Sequence, residues 1–168
     1  MSFIFDTERL LVRKLILEDI AAFHEMHGNI NVMRYVRGRS MTFEEDKKDL
    51  KSLIKKYDTL QNDYWIYAIE RTLDSNFIGS VAFVKDVDNN NEIGYRFLER
   101  YWKNGYGTEI VKGMINYSKQ KGFNSLIAYV AYENIASDNI IKNAGFEYIE
   151  DSFCEAAKVK ERKYRLEL

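Results

Sequence analysis

The sequence predicts an α/β protein whose central sheet is mixed and mostly antiparallel. Three observations lead to this prediction. First, residues 64–71, 77–85 and 92–98 are rich in β-branched and aromatic side chains and are separated by polar turns, as in successive antiparallel strands. Second, a Gly-x-Gly loop at residues 105–107 precedes an amphipathic helix. Third, residues 125–132 form a nearly continuous apolar run, which is typical of a strand covered on both faces.

The composition is that of one folded domain, which we expect to span residues 1–168. Hydrophobic residues make up 46% of the chain and charged residues 30%, and no proline or Gly/Ser-rich tract marks a linker. The net charge of -1 argues against a general nucleic-acid partner. No apolar run approaches the ~20 residues of a membrane helix. Cys154 is the only cysteine, which excludes an internal disulfide, and we expect a cytoplasmic protein.

The first part of the chain is predicted to contain one strand and two helices. Residues 9–15 form the strand, and acidic side chains at its end start a helix over residues 18–27. Thr42 and Glu45 have the spacing of a capping box, which starts the second helix. The apolar face of that helix consists of Leu50, Leu53, Ile54 and Tyr57.

The second part of the chain alternates between helices and strands. An apolar stripe over residues 110–117 predicts a helix after the glycine loop, and Gly122 marks its end. A short helix follows at residues 135–143, and residues 146–154 and 160–166 are predicted to be closing strands. The prediction is therefore about seven strands and about four helices.

Strands 92–98 and 125–132 are predicted to run parallel, because a single helix connects them and such crossovers are right-handed. Ligands of open α/β sheets bind beyond the carboxyl ends of parallel strands. The glycine loop and residues 133–137 both leave the sheet at that edge. Two loops that are distant in sequence should therefore converge on one site.

The segment 101–109 predicts an anion-binding loop between a strand and a helix. Its glycines allow tight turns and close approach of a ligand to the backbone, and the first amides of the helix are unpaired and lie at the positive end of the helix dipole. A phosphate-bearing cofactor fits such a loop. Two other phosphate motifs are excluded, since the dinucleotide fingerprint requires a third glycine where Ile110 stands and the P-loop requires Gly-Lys-Ser/Thr.

The ordered combination of residues 102–109, 134–137 and 143–146 resembles the GNAT superfamily of acetyl-CoA-dependent N-acetyltransferases, and the likeness runs nearly end to end. Residues 7–13 and 92–95 look most like the branch that acetylates the N-termini of ribosomal proteins. The resemblance implies a single-domain GNAT-like fold, with the parallel strand pair splayed around the cofactor.

The resemblance also implies which residues bind acetyl-CoA. Backbone amides of the glycine loop would hold the pyrophosphate, the strand end at residues 96–98 would pair with the pantetheine arm, and residues 134 and 137 would line the sulfur end. Many relatives have a general-acid tyrosine seven residues after the matching asparagine, where this chain has Ile141. The implied cofactor-binding residues are Phe97, Leu98, Lys103, Asn104, Gly105, Tyr106, Gly107, Thr108, Asn134 and Ser137.

Acyl transfer requires a neutral amine, a polarised thioester carbonyl and a proton for the departing thiolate. Glu92 is the candidate base. It would need burial or a water relay, because an ordinary glutamate has a pKa of about 4.3, and the alternative role is a cross-strand surface charge. A backbone amide near Phe97 or Leu98 can polarise the carbonyl. Ser137 is the candidate proton donor, with capping of its helix as the alternative.

The expected reaction moves acetyl from acetyl-CoA to a primary amine by direct attack in a ternary complex. The preferred acceptor is an α-amine of a protein or peptide, because its pKa of about 7.7 leaves far more of it neutral at pH 7 than lysine, at about 10.4. A small amine, such as an antibiotic, polyamine or amino acid, is the alternative acceptor. A non-catalytic acyl-CoA sensor is the alternative outside enzymes, and the protein is expected to be a monomer or homodimer.

Other polar residues have weaker predicted roles. No metal is expected at His24 and His27, since a zinc site needs three or four ligands. Arginines at positions 34, 37 and 39 form a basic patch that recognises an acidic acceptor or is simply a solvated loop. Cys154 has no nearby histidine in sequence to activate it as an acetyl carrier.

Overall fold

A single mixed sheet forms the centre of the computed structural model, which describes residues 2–168. The strands are β1 (Phe3–Asp6), β2 (Leu10–Lys14), β3 (Tyr64–Arg71), β4 (Asn76–Lys85), β5 (Asn91–Phe97), β6 (Ser125–Ala131), β7 (Glu147–Cys154) and β8 (Val159–Glu167). Their order across the sheet is β1-β2-β3-β4-β5-β6-β8-β7. All neighbours are antiparallel except β5 and β6, which are parallel.

Within residues 2–168, five α-helices flank the sheet. They are α1 (Ile20–His27), α2 (Ile30–Met33), α3 (Phe43–Lys56), α4 (Tyr106–Gln120) and α5 (Ile135–Asn143). Short 3-10 turns at Leu17–Asp19 and Glu99–Tyr101 precede α1 and follow β5. No helix within residues 2–168 combines the length and the apolarity that crossing a membrane requires.

The predicted α/β fold with one parallel pair is confirmed, and each of the seven predicted strands and four predicted helices is present. The structure adds the strand β1 and the single-turn helix α2. The predicted capping box is also present. The amide of Glu45 donates to Thr42 Oγ1 at 3.3 Å, and the amide of Thr42 donates to Glu45 Oε2 at 2.8 Å.

The two faces of the sheet are covered by different helices. Residues of α1, α2 and α3, including the fully buried Phe23 and Leu50, pack on one face together with Leu98. On the other face α4 and α5 pack over the sheet, with Ile110 and Met114 fully buried. Side chains that alternate along β5 therefore face two separate helical layers.

The parallel strands β5 and β6 separate soon after they begin. Glu92 opposite Ile127 is their one residue pair, whereas β4 and β5 pair at seven successive positions. The strands therefore diverge toward their carboxyl ends and leave an opening in the sheet. Both α4 and α5 begin beside this opening, because each follows one of the two strands in the chain.

Candidate active site

The loop before α4 has a fixed backbone shape. Lys103 and Gly105 both have left-handed conformations, with φ of 62° and 79°. The Asn104 side-chain amide donates to the carbonyls of Tyr101 and Trp102, at 3.0 Å each. The loop thus turns sharply and directs the chain into α4, and glycine at position 105 allows that turn without steric strain.

The first amides of α4 are available to a ligand. The bond from the Glu109 amide to the Gly105 carbonyl, at 3.2 Å, is the first of the helix, so the amides of Tyr106, Gly107 and Thr108 have no intrahelical partner. Gly105 is the N-cap residue of α4 and, because it has no side chain, it makes no capping hydrogen bond to these amides. These donors and the helix dipole form a cradle for an anion such as a pyrophosphate.

Gly107 allows the first turn of α4 to pack closely against β5 and α5. A Cβ atom at position 107 would lie 2.7 Å from Ile140 Cδ1 and 3.6 Å from Tyr95 Cε2. The residue is therefore in close contact with α5 on one side and with β5 on the other. The glycine loop, the end of β5 and the start of α5 meet here, as the sequence predicted for loops at the carboxyl ends of parallel strands.

Arg9 also lies at the cradle, although the sequence did not suggest it as a site residue. Its guanidinium lies 4.6 Å from the centre of the Tyr106 ring and donates to the Asn104 carbonyl at 3.1 Å. A charge-assisted bond of 2.7 Å joins it to Glu109 in the first turn of α4. Arg9 therefore ties the β1–β2 turn to the glycine loop and places a cation beside it.

At the end of β5 the backbone amide of Phe97 is available to a ligand, whereas that of Leu98 is not. The Leu98 amide donates to the Ile78 carbonyl at 2.9 Å, and the Leu98 carbonyl accepts from the Tyr101 amide at 2.9 Å. The Leu98 amide is therefore not free to polarise the thioester carbonyl, whereas contact between Leu98 and the cofactor stays a prediction. Because amides alternate in direction along a strand, those of Tyr95 and Phe97 point away from β4 and into the opening.

Tyr95 and Ser137 form a pair of hydroxyl groups across the opening. Their oxygens are 2.9 Å apart. Asn134 is the side chain that caps α5, since its Oδ1 accepts from the Ser137 amide at 3.2 Å. The alternative that Ser137 caps the helix is therefore wrong, and its hydroxyl is free to bond Tyr95.

Burial raises the pKa of Tyr95 above its ordinary value, although the Ser137 hydroxyl partly counteracts this. The phenol is consequently protonated at neutral pH and can donate a proton. Ile141, at the position of the tyrosine found in many relatives, is only 2% exposed and lines the same cavity. Ile141 has no hydroxyl group, and Tyr95 supplies one in the same cavity.

Glu92 lies on the face of β5 opposite to Tyr95, because the two residues are three positions apart and side chains alternate along a strand. It is half-buried and lines a cavity, rather than being a surface charge. Burial raises the pKa of Glu92 to about 7, with further contributions from Asp86 and Glu161 and an opposing one from Lys163. A carboxyl group with this pKa can accept a proton near neutral pH.

Two adjoining cavities extend from the opening. The smaller, of about 250 Å³, is lined by Glu92, Tyr95, Asn134 and Ser137 among others. The larger, of about 620 Å³, lies between the sheet and the layer of α1 and α3. Five residues line both cavities: Val36, Tyr64, Ile66, Ser80 and Arg96.

A chain of charged and polar groups extends behind Arg96. Its Nη1 is 3.2 Å from His27 Nε2, and His27 Nδ1 is 3.0 Å from the fully buried carboxylate of Asp46. The second oxygen of Asp46 is 2.7 Å from His24 Nδ1. Burial, and then the charge of Arg96, lower the pKa of His27. The ring is therefore neutral, and the network assigns Nδ1–H as donor to Asp46 and Nε2 as acceptor from Arg96.

The other predicted residues are divided between the site and the surface. Arg37 and Arg39 line the larger cavity and pair with Asp49 and Glu45, whereas Arg34 lines neither cavity and bonds Asn31. Within residues 2–168, no group of three or more His, Cys, Asp or Glu side chains is arranged to hold a metal ion.

Comparisons with known proteins support this reading of the fold. The family model described as an acetyltransferase (GNAT) domain matches residues 9–147. The uncharacterized N-acetyltransferase YnaD of Bacillus subtilis is 31% identical over 141 residues, covering 83% of this chain and 79% of the relative. A GNAT-family acetyltransferase structure from Bacillus anthracis has a TM-score of 0.82 at 22% identity, covering 99% of this chain and 98% of the other.

A further structural neighbour has a named acceptor. RimL, described as a ribosomal L7/L12 α-N-protein acetyltransferase in complex with coenzyme A, has a TM-score of 0.79 at 15% identity. The match covers 99% of this chain and 98% of RimL. At this identity the likeness establishes a common fold.

Proposed function

Because this chain belongs to the GNAT acetyltransferase family and is an acyl-CoA-dependent N-acetyltransferase, we propose that it acetylates a primary amine by direct attack in a ternary complex. The preferred acceptor in this proposal is the α-amine of a protein or peptide. The observation that supports it most strongly is the convergence of three features at the opening between β5 and β6. These are the uncapped amides of α4, the Tyr95–Ser137 pair and the half-buried Glu92.

Acetyl-CoA would bind with its pyrophosphate at the start of α4. The amides of Tyr106, Gly107 and Thr108 supply hydrogen-bond donors there, and Gly107 leaves the backbone accessible. The pantetheine arm would extend into the opening, where the amides of Tyr95 and Phe97 point. Either amide is suited to polarise the thioester carbonyl, because a fixed backbone dipole needs no reorganisation during the reaction.

Glu92 would accept the proton that the attacking amine loses. Its pKa of about 7 leaves a large fraction ionised at neutral pH while keeping it a better base than an ordinary glutamate. The amine would approach from the face of the sheet that Glu92 shares with the two cavities. A water molecule can bridge the remaining distance.

Tyr95 would serve the departing sulfur on the opposite face. As the new C–N bond forms and the C–S bond breaks, the thiolate needs a proton or a strong hydrogen-bond donor. The protonated phenol of Tyr95 supplies one, and the Ser137 hydroxyl holds it in place. The base, Glu92, and the acid, Tyr95, would thus act from opposite faces of β5.

The choice of acceptor depends on proton chemistry and on the space beside the site. An α-amine demands the least of Glu92, because its pKa of about 7.7 lies close to that of the base. The larger cavity of about 620 Å³ adjoins the reaction site and offers room for the first residues of a peptide. It would also accommodate a small charged amine, which is the alternative acceptor.

Coenzyme A release, measured with acetyl-CoA and a panel of amines, tests this proposal. The panel contains N-terminal peptides, lysine-containing peptides with blocked N-termini, polyamines and amino acids. We expect the highest kcat/KM for a free peptide α-amine. Turnover confined to small amines would favour the alternative, and acetyl-CoA binding without turnover of any amine would indicate a sensor.

A further inference from the structure

Arg96 is a cation without a carboxylate partner. Within residues 2–168 its polar contacts are His27 Nε2, at 3.2 Å from its Nη1, and Met33 Sδ, at 3.8 Å. The buried Arg13 pairs instead with both Asp19 and Glu70, at 2.9 and 2.7 Å. Burial lowers the pKa of Arg96, but a guanidinium stays charged in proteins. Its charge is therefore left uncompensated at this position.

His27 cannot compensate this charge. Its ring is neutral and accepts a hydrogen bond from Nη1, while the carboxylate of Asp46 lies behind the ring and bonds both histidines. The contact orients the guanidinium and leaves its Nε and Nη2 donors without hydrogen-bond partners in the described chain. Neither atom is sealed from solvent, and Arg96 lines both cavities. These donors are accessible from the cavities.

The larger cavity has an excess of positive charge. Its lining contains one carboxylate, Asp49, against four cationic side chains: Arg37, Arg39, Lys56 and Arg96. Arg37 is paired with Asp49 and Arg39 with Glu45, so each of these two charges has a carboxylate partner. Arg96 is the deepest of the four, at the boundary with the smaller cavity that Glu92 lines.

Arg96 and Glu92 lie on the same face of β5, four residues apart, which is about 13 Å along a strand. Gly94 lies between them, and a Cβ atom there would meet only Ala82 Cβ, at 3.7 Å. The space over β5 between the Glu92 carboxylate and the Arg96 guanidinium is therefore open. An amine that reaches Glu92 above Gly94 would place a nearby anionic group within range of Arg96.

We propose that Arg96 binds a carboxylate of the acceptor and so selects amines that carry one. This inference rests on the proposed acetyltransferase reaction and adds the class of its acceptor. A planar guanidinium with two free donors matches a carboxylate in a bidentate geometry. The carboxylate belongs either to a small amino acid or to an acidic side chain near a peptide N-terminus.

Matched acceptor pairs test the proposal. One pair is a glutamate-containing peptide and its glutamine counterpart, and the other is a free amino acid and its amide. For wild type, we expect kcat/KM to favour the carboxylate member of at least one pair by about 10- to 100-fold, as for a charged hydrogen bond in a desolvated site. Whichever pair discriminates identifies the source of the carboxylate.

Arg96→Gln should reduce this ratio to near one, mainly through KM for the carboxylate member. Arg165→Gln, which alters an exposed arginine on β8 that pairs with Glu167 and lines neither cavity, should keep the ratio. The melting temperature of ligand-free Arg96→Gln should not fall, because the guanidinium has no carboxylate partner to lose. An arginine with a purely structural role would instead lower the melting temperature when replaced.

The possible outcomes separate this inference from the proposed reaction. Equal kcat/KM within both acceptor pairs, or an equal loss on both members in Arg96→Gln, would overturn the role of Arg96 while leaving acetyl transfer intact. Calorimetry with acetyl-CoA and turnover on the carboxylate-free amines test the reaction itself. If these fail for wild type, the proposed function is overturned.

Discussion

The hydroxyl oxygens of Tyr95 and Ser137 lie 2.9 Å apart and connect the splayed strand β5 to the first turn of α5. Asn134 makes this contact possible, because its side chain caps α5 and leaves the serine hydroxyl free. The pair lies beside Gly107, at the cradle formed by α4. A proton donor is thereby fixed next to the place where the sulfur of acetyl-CoA would leave.

Tyr95→Phe should lower kcat by about 100-fold, the lower end of typical general acid–base contributions, while the affinity for acetyl-CoA changes little. Steady-state kinetics and calorimetry measure the two quantities. Ser137→Ala should have a smaller effect on kcat, because the phenol remains. Tyr148→Phe is the control, since Tyr148 is 54% exposed on β7. An unchanged kcat in Tyr95→Phe would remove the phenol from the mechanism.

Wild-type kcat should rise as the pH passes through about 7, and Glu92→Gln should abolish this rise. Because the pKa of Glu92 is about 7, the base is fully ionised above this pH and protonated below it. The ratio of wild-type to variant kcat should therefore be largest above pH 7. The acceptor in this experiment should be an amine with a pKa below about 5, so that the amine stays neutral over the whole pH range measured. The exposed Glu150 provides the control variant Glu150→Gln, and identical profiles for wild type and Glu92→Gln would contradict the assignment.

Glu92→Gln should also stabilise the protein at high pH. A carboxyl group whose pKa is raised on folding binds more protons in the native than in the unfolded state, so the free energy of unfolding falls as pH rises from about 4.5 to about 7. The variant has no carboxyl group at position 92, so its free energy of unfolding does not fall for this reason as the pH rises. At pH 8 its unfolding free energy should exceed that of wild type by up to about 3 kcal/mol, at 1.36 kcal/mol per pKa unit. Urea denaturation at pH 4 and pH 8 measures the difference, and a variant that gains no stability at pH 8 would contradict the burial argument.

Gly107→Val should weaken acetyl-CoA binding at least about 10-fold, because its side chain would occupy the space over the free amides of α4. The Cβ atom would also press on Ile140 Cδ1, whose flexible end can move, so the fold should persist. Gly122→Asn is the control. Gly122 ends the same helix with φ of 78° and has no atoms within 4 Å of an added Cβ, and asparagine tolerates that conformation. Retained affinity in Gly107→Val, measured by calorimetry, would show that the phosphate site lies elsewhere.

The sequence was sufficient to predict the order of the main elements, because their periodicity and capping signals are local. The strand β1 and the helix α2 were missed because each has only four residues, too few for a periodic pattern. The parallel pairing of β5 and β6 was correctly predicted from the single helix between them, whereas the opening between the two strands was expected only from the resemblance to the family.

The chemistry of the site was less accessible to sequence reasoning. Tyr95 bonds a residue 42 positions away, and Arg96 contacts one 69 positions away. No local pattern reveals such pairs. Alternation along β5 could have placed Tyr95 on the face of α5 and Arg96 on that of Glu92. The hydrogen bonds that occupy the Leu98 backbone groups, to Ile78 and Tyr101, could not be predicted, because they depend on how the chain turns after β5.

Mass spectrometry of a reaction containing the protein, acetyl-CoA and a peptide with a free α-amine tests the central claim most directly. The account predicts that coenzyme A is released in step with acetylation of the peptide amine, while the mass of the protein stays unchanged when acetyl-CoA is added alone. Acetyl transferred to Cys154 before any amine is present, or no release of coenzyme A with any amine, would contradict it.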